Sequence, residues 1–230
     1  MRPLAAFALC AAAALGCTSP QRAAHPPTTV SAADLGRLSP EQMGALQSAR
    51  SDLDAARDAL DRARLRLQDA RHEEWYARAD RTQADADRQR GEAQLRTAQE
   101  AGDGRAAGRA QELVAAAALR AQAADARLEY ARRLVAARQS GVDAYQARVA
   151  RAEWDVERAK LAALREAQIP AATKYDAASL DRRAADLARA EEASVGRSRE
   201  LDRAATTAFD RWRSLVDRYE ARLRASGQTG

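Results

Sequence analysis

The hydrophobic pattern of this chain repeats every seven residues over most of its length. In the first stretch of this pattern, a leucine recurs every seven residues and an alanine follows three places after each leucine: Leu46, Ala49, Leu53, Ala56, Leu60, Ala63, Leu67 and Ala70. Apolar residues at the first and fourth positions of a heptad, labelled a and d, form the seam of a coiled coil. Between these positions the residues are mostly charged or polar. The pattern therefore predicts a long helix with one narrow apolar stripe.

Two interruptions divide this pattern into three parts. Segment 101–108 contains three glycines, as is typical of a turn between helices. Pro170 ends the second part, because the residue before a proline is pushed out of the helical region. At the start of the first part, Ser39, Pro40 and Gln42 have the spacing of a helix-capping signal.

Three helices are predicted, over about 40–101, 105–169 and 173–226, with a frayed tail at 227–230. Each is roughly 80–90 Å long, and short turns make neighbouring helices antiparallel. Facing residues of the first two helices then have numbers with a constant sum of about 205, or about 212 in a register one heptad along. The predicted fold class is all-α, an elongated antiparallel coiled-coil bundle of three long helices.

The few aromatic residues allow a more specific prediction for this arrangement. With a sum of about 342 for the second and third helices, Trp75, Tyr130 and Trp212 lie level, joined by Tyr76 and Phe209. One interpretation is an internal aromatic layer shared by the three helices, at the point where the first helix loses its leucines. The other is an exposed docking stripe for a partner, because Trp75 occupies the outward heptad position b.

The first seventeen residues differ from the rest of the chain. Arg2 precedes an apolar run that is too short for a membrane-spanning helix, which takes about 20 residues. A charged start and an apolar middle are typical of a secretory signal. The sequence Ala14-Leu15-Gly16-Cys17 resembles the lipobox of bacterial lipoproteins.

That resemblance implies a signal peptide over 1–16 and acylation of Cys17, for example by palmitate. An ordinary cleaved signal with an unmodified Cys17 is the alternative. Thr18, where an aspartate would signal inner-membrane retention in this class of protein, implies an outer-membrane location facing the periplasm. Residues 17–38 contain several prolines and are predicted to form a flexible tether, followed by the helical rod over 39–226.

Composition and charge exclude several kinds of function. The formal net charge is +5, but both signs are mixed along the helices, which is typical of a solvated surface and argues against nucleic-acid binding. Beyond the leader residue Cys10 and the lipidated Cys17, the chain has no thiol for a disulfide, a metal or a catalytic site. His25 and His72 have no evident catalytic companion. We therefore expect no enzymatic activity, no cofactor and no metal.

The function that fits these features is a lipid-anchored structural or adaptor protein of the bacterial envelope. Its coiled-coil rod would bind an envelope protein or a second copy of itself. One alternative is a periplasmic holdase chaperone, because basic helical hairpins resemble those of the Skp family. Another is an accessory component of an export or efflux assembly, because residues 134–145 resemble the helical hairpins of TolC-type proteins.

Overall fold

The computed structural model describes residues 29–225, which are almost entirely helical. These residues form a short helix and three long ones: α1 Ala32–Leu35, α2 Gly44–Glu100, α3 Gly104–Glu166 and α4 Ala177–Ala225. Two 3-10 turns, Glu41–Met43 and Pro170–Lys174, precede α2 and α4. No strand occurs within this part of the chain, and the predicted all-α class is confirmed.

The turn between α2 and α3 is tighter than the predicted glycine segment. Gly102 has a φ of 68°, a left-handed conformation that favours glycine. Asp103 then caps α3, since its Oδ1 accepts hydrogen bonds from the N–H groups of Arg105 and Ala106 at 3.0 and 2.9 Å. Gly104 and Gly108 consequently lie inside α3 and not in the turn.

The beginnings of α2 and α4 also differ from the predicted bounds. The N–H of Ser39 donates to Oε1 of Gln42 at 3.0 Å, as expected for the capping signal, but a 3-10 turn delays the start of α2. Residues 170–174 likewise wind as a 3-10 turn, so the predicted restart at 173 is wrong. Asp176 caps α4 instead, because its Oδ1 accepts from the N–H of Ser179 at 3.1 Å.

Helix α3 is the central helix of the rod. Both α2 and α4 pack along it in antiparallel directions, whereas α2 and α4 do not pack against each other. Ala123 and Ala124 are adjacent on α3 and both are buried, which indicates that α3 contacts its two neighbours through different faces. Successive residues are about 100° apart around a helix, so burial of both requires two covered faces. The three long helices therefore form an open layer with α2 and α4 at its edges.

The seam between α2 and α3 has the predicted register. Facing positions fall into the same buried clusters, in pairs whose numbers keep the predicted sum near 205: Ala63 with Val142, Ala77 with Leu128, and Ala84 with Ala121. Most layers place a small residue opposite a larger one. Ala77 and Ala131 have no exposed surface at all, so the two backbones approach closely at this level.

The largest core lies at the end where α3 turns into α4. It contains Val30, Leu161, Leu164, Ala172, Tyr175 and Leu180. Val30 belongs to the predicted tether, and Leu35 and Leu38 pack partly buried against the same cluster. The prediction that the tether extends to residue 38 is therefore wrong. Its last residues carry enough apolar side chains to dock on the end of the rod, and α1 forms there.

The close approach at Ala77 predicts a steric asymmetry between two alanines of the same helix. Ala77→Leu inserts a larger side chain between Leu128 and Ala131 and should lower the free energy of unfolding by about 1–3 kcal/mol. Ala93→Leu, at an exposed position, is the matched control and should change it by less than about 0.5 kcal/mol. Urea unfolding followed by circular dichroism measures both. Equal effects of the two substitutions would contradict the register.

Candidate docking surface

Two aromatic side chains lie exposed on the outer face of α2. Trp75 is 64% exposed and Tyr76 is 55% exposed, and their rings form an edge-to-face pair with centroids 5.0 Å apart. Leu65, on the same helix, is 60% exposed. In the described part of the chain only one further large hydrophobic residue, Leu113, is exposed, at 38%. Exposed large apolar groups are therefore concentrated on α2.

The heptad phase explains why these two rings point away from α3. The buried positions at this level are Ala70 and Ala77, and positions 75 and 76 lie on the opposite side of the helix. The place of the missing leucine is taken by Glu74, whose carboxylate pairs with Arg78 at 2.5 Å and with Arg132 at 3.7 Å. The side of α2 that faces α3 therefore packs without any contribution from the aromatic rings.

The other three aromatic residues meet between α3 and α4. The rings of Tyr130 and Trp212 are stacked with centroids 5.8 Å apart, and Phe209 lies edge-on to both, at 5.3 and 5.6 Å. All three side chains are half-buried. This cluster stabilises the α3–α4 interface beyond simple burial, because aromatic pairs add roughly 0.5–1.5 kcal/mol.

The predicted aromatic layer is therefore only partly correct. Tyr130, Phe209 and Trp212 come together as predicted, but Trp75 and Tyr76 lie outside this cluster. The register determines the height of each ring along the rod, but a shared layer also requires that all three helices face a common axis. Because α2 and α4 pack on different faces of α3, a ring on the outer side of α2 cannot reach the cluster.

The side chain of Arg127 connects the three long helices, which the aromatic residues do not. Its guanidinium hydrogen-bonds Glu73 of α2 at 2.9 Å and Asp80 of α2 at 3.1 Å, and lies 5.7 Å from the ring centroid of Trp212 of α4. One side chain of the central helix thus contacts both edge helices. No short motif marks this residue, since arginines occur throughout the chain.

The clefts between the helices contain paired charges. In the cleft lined by Asp52, Arg148, Arg151 and Glu191, Arg151 pairs with Glu191 at 3.2 Å. Between residues 29 and 225 there is no group of histidine, cysteine, aspartate and glutamate side chains that could hold a metal ion. The exposed face of α2 is therefore the most distinctive surface of the described chain.

A second polar site clasps the N-terminal segment to the rod. The hydroxyl of Tyr175 donates to Oδ2 of Asp34 at 2.8 Å and accepts from the N–H of Ser31 at 3.0 Å. The hydroxyl of Ser31 also donates to Oδ2 of Asp34, at 2.8 Å. The N–H of Val30 donates to Oε2 of Glu157 at 2.8 Å. These bonds join the segment to both α3 and the turn before α4.

The same contacts make Asp34 more acidic. The hydrogen bond from Tyr175, and then that from Ser31, lower the pKa of Asp34 below its ordinary value of 3.8. Desolvation opposes them, and the positive charges of Lys174 and Arg37 lower the pKa to a lesser extent. The ionised carboxylate is therefore the form that holds the clasp closed.

Cys17, the predicted lipidation site, lies outside the described residues, so its acylation stays a prediction. Within residues 29–225, no helix has the length and apolar character that crossing a membrane requires. Comparisons with protein-family models, with curated proteins and with solved structures found no match to this chain.

The exposure of Trp75 predicts a specific fluorescence response. A variant that retains only Trp75, made by replacing Trp154 and Trp212 with phenylalanine, should emit at long wavelength and be quenched freely by acrylamide at low protein concentration. The variant that retains only Trp212 is the control and should be at least about twofold better protected, because that ring is half-buried and stacked. Equal protection of the two rings in dilute protein would contradict the exposed placement of Trp75.

The clasp predicts a pH dependence confined to the N-terminal segment. A lowered pKa in the folded protein means that the stabilising contribution of Asp34 is complete above about pH 4 and is lost as the pH falls through the folded pKa. Amide exchange at Val30 and Ser31 should therefore accelerate below about pH 4, relative to the intrinsic rate, in the native chain.

Asp34→Asn should remove the part of this acid dependence that Asp34 causes at Ser31 and leave that amide several-fold less protected at neutral pH. The N–H of Val30 donates to the carboxylate of Glu157, so its exchange should remain acid-dependent in this variant. Asp61→Asn, at an exposed position of α2, is the control and should leave exchange in the N-terminal segment unchanged. Full protection of Ser31 in Asp34→Asn would show that the clasp does not depend on this carboxylate.

Proposed function

We propose that this protein is a lipid-anchored structural or adaptor protein of the bacterial envelope, whose coiled-coil rod presents the outer face of α2 for docking. One observation carries the proposal. Trp75 and Tyr76 are exposed together on an edge helix, although α3 and α4 bury their own aromatic rings in a shared cluster.

The exposure of this pair supports a docking role on energetic grounds. Tryptophan and tyrosine are enriched at protein interfaces and account for much of the binding energy there. Burying a large aromatic side chain is worth about 1.5–3 kcal/mol that the isolated rod does not gain. Because α4 does not cover α2, the whole outer side of α2 remains accessible to another protein.

The proposed anchor would hold one particular end of the rod near the membrane. The clasp fixes Val30 beside Glu157 and Tyr175, at the end where α3 leads into α4. Thirteen residue steps separate Cys17 from Val30 and span at most about 45 Å when fully extended. Helix α3 has 63 residues, or about 95 Å, so the turn at Gly102 would be the end farthest from the clasp.

No feature of residues 29–225 favours the chaperone or the export-component alternative over the adaptor. The three proposals nevertheless differ in what they require of α2. An adaptor needs one stoichiometric partner at a defined face, whereas a holdase binds many unfolded chains. Identification of what contacts this face in living cells therefore separates the alternatives.

The test is photo-cross-linking of the full chain in its native envelope. We expect p-benzoylphenylalanine in place of His72, which is exposed one turn before Trp75 and Tyr76, to give one discrete adduct. The same group in place of Gln122, exposed on α3, is the matched control and should give little or none. Trp75→Ala combined with Tyr76→Ala should reduce the His72 adduct about tenfold or more.

The anchor is tested in the same cells. Mass spectrometry of the mature N-terminus should find an acylated Cys17 with residues 1–16 removed, and Cys17→Ala should release the chain from the membrane fraction. An unmodified Cys17 would refute the anchor, whereas a heterogeneous smear of adducts at position 72 would refute the adaptor and favour the holdase.

A further inference from the structure

We infer that the docking face of α2 binds the same face of a second copy of this chain, with the two helices antiparallel. The inference rests on the proposed function in one respect only, namely that the Trp75–Tyr76 surface is a docking surface. It does not depend on the lipid anchor. Three observations support it: the charge pattern of the face, the register that brings the aromatic rings together, and the accessibility of α2.

The outer face of α2 carries opposite net charges at its two ends. We define it as heptad positions b, c and f from residue 54 to residue 97, all of which are exposed. The end nearer the start of the helix carries three aspartates and one arginine, Asp54, Asp58, Asp61 and Arg62. The end nearer the turn carries two arginines and no acidic residue at these positions, Arg90 and Arg96. An antiparallel second copy brings each acidic end onto a basic end, whereas a parallel copy opposes like charges.

The middle of the face is nearly uncharged and holds the aromatic pair. If a two-fold axis passes between positions 75 and 76, Trp75 of each copy faces Tyr76 of the other, and four rings meet at the axis. Leu65 then faces Ala86 of the second copy, a large residue opposite a small one as in the α2–α3 seam. Two glutamines, at positions 68 and 83, likewise face each other in this register.

The charged ends favour the same register. With the axis between positions 75 and 76, Asp61 of one copy faces Arg90 of the other. Each pairs within its own helix, Asp61 with Arg64 at 3.0 Å and Arg90 with Asp87. Their side chains are nevertheless 71% and 67% exposed, so both can exchange these partners for each other across the interface. A shift of one heptad in either direction places Trp75 opposite Gln83 or Asp69 and separates the aromatic pairs. The same shift also separates Asp61 from Arg90, so the aromatic and the charged contacts select one alignment.

The fold leaves room for this partner. Helix α2 packs on α3 alone among the long helices, so a second rod can lie along its outer side without displacing anything. The apolar centre consists mainly of Trp75, Tyr76 and Leu65, which is small beside the roughly 1,200–2,000 Å² of a stable interface. We therefore expect a pair with micromolar affinity that forms where the chain is concentrated.

The first experiment places the photo-cross-linker at Gln83 in the purified full chain, held in detergent micelles. The antiparallel register predicts an adduct of twice the chain mass, linked at residues 65–72 of the second copy. A link at residues near 83 of the second copy would indicate a parallel pair and overturn the inference. The same group at Gln122 on α3 is the control and should give no copy-to-copy adduct.

The second experiment uses charge reversal at exposed positions, so that folding is preserved. Asp61→Arg places two arginines opposite each other at both ends and should weaken the pair by roughly tenfold. Adding Arg90→Asp to the same chain restores opposite charges and should recover the native affinity. Recovery by the double reversal is specific to the register that joins these two positions.

A third pair of variants changes one neutral position in opposite directions. In the inferred register Gln89, which is exposed, faces Arg62 of the second copy. Gln89→Glu should therefore strengthen the association by roughly two- to fivefold, and Gln89→Arg should weaken it by a similar factor. A general attraction between acidic and basic ends predicts the reverse order, because Gln89→Arg makes the basic end more basic.

Loss of folding cannot produce a gain of affinity, so the strengthening by Gln89→Glu is specific to the register. A double reversal that stays as weak as Asp61→Arg alone, together with the reverse order of the two Gln89 variants, would overturn the antiparallel register. Sedimentation velocity over a range of protein concentrations measures the affinity of each variant.

The outcomes also separate this inference from the proposed function. If cross-linking at position 72 in cells captures only one different protein, and position 83 in the purified chain gives no copy-to-copy adduct, the adaptor stands and self-pairing is refuted. If neither position gives any discrete adduct, both are refuted. If the discrete adduct is a second copy, linked near residue 79 from position 72 and at residues 65–72 from position 83, both are supported.

Discussion

The close packing of alanine against larger side chains along α3 is the constraint on which the rest of the structure depends. Ala131 and Ala137 are almost completely buried on two different faces of this helix. Small side chains let the helix backbones approach towards the short end of the usual 8–10 Å separation. Because α3 provides such a surface twice, it can hold α2 and α4 at the same time, and the two edge helices need not meet.

This arrangement has an energetic cost that other contacts offset. Alanine layers bury little apolar area per turn, so the seam alone stabilises a long rod weakly. Larger groups are placed where they add most: the aromatic cluster around Trp212 on one seam, and the core around Leu164 at the end of the rod. Arg127 joins α2 to α4 by hydrogen bonds and a cation–π contact. No other long helix covers the outer side of α2, so the rings of Trp75 and Tyr76 remain exposed there.

Much of this fold could be predicted from heptads, because a and d positions report directly which residues are buried. The register between α2 and α3 followed from the same pattern. The direction in which each helix faces was harder to predict. A constant sum of facing residue numbers gives the height of a residue along the rod but not its angle around the helix. A second series of apolar residues on α3, at Ala116, Ala123, Tyr130, Ala137 and Ala144, was the available signal for the α4 seam. The matching positions on α2 are mostly polar, which marks α2 as an edge.

The clasp could not be predicted in the same way. Periodicity is uninformative over a segment as short as α1, and the contact between Asp34 and Tyr175 joins residues 141 positions apart. Prolines further upstream made the whole N-terminal region resemble a tether. The docking of Val30 depends on a pocket that exists only after α3, the turn and α4 have come together, so tertiary context overrides the local signal.

The open layer is tested most directly by the distance between α2 and α4. Spin labels on exposed positions of the two helices at the same level, such as Gln68 and Thr207, can be measured by double electron–electron resonance at low protein concentration. An α3-centred layer separates the two helix axes by roughly 16–20 Å, about twice the spacing of adjacent helices. Label distances consistent with axes only about 8–10 Å apart would show a closed three-helix bundle and contradict the account.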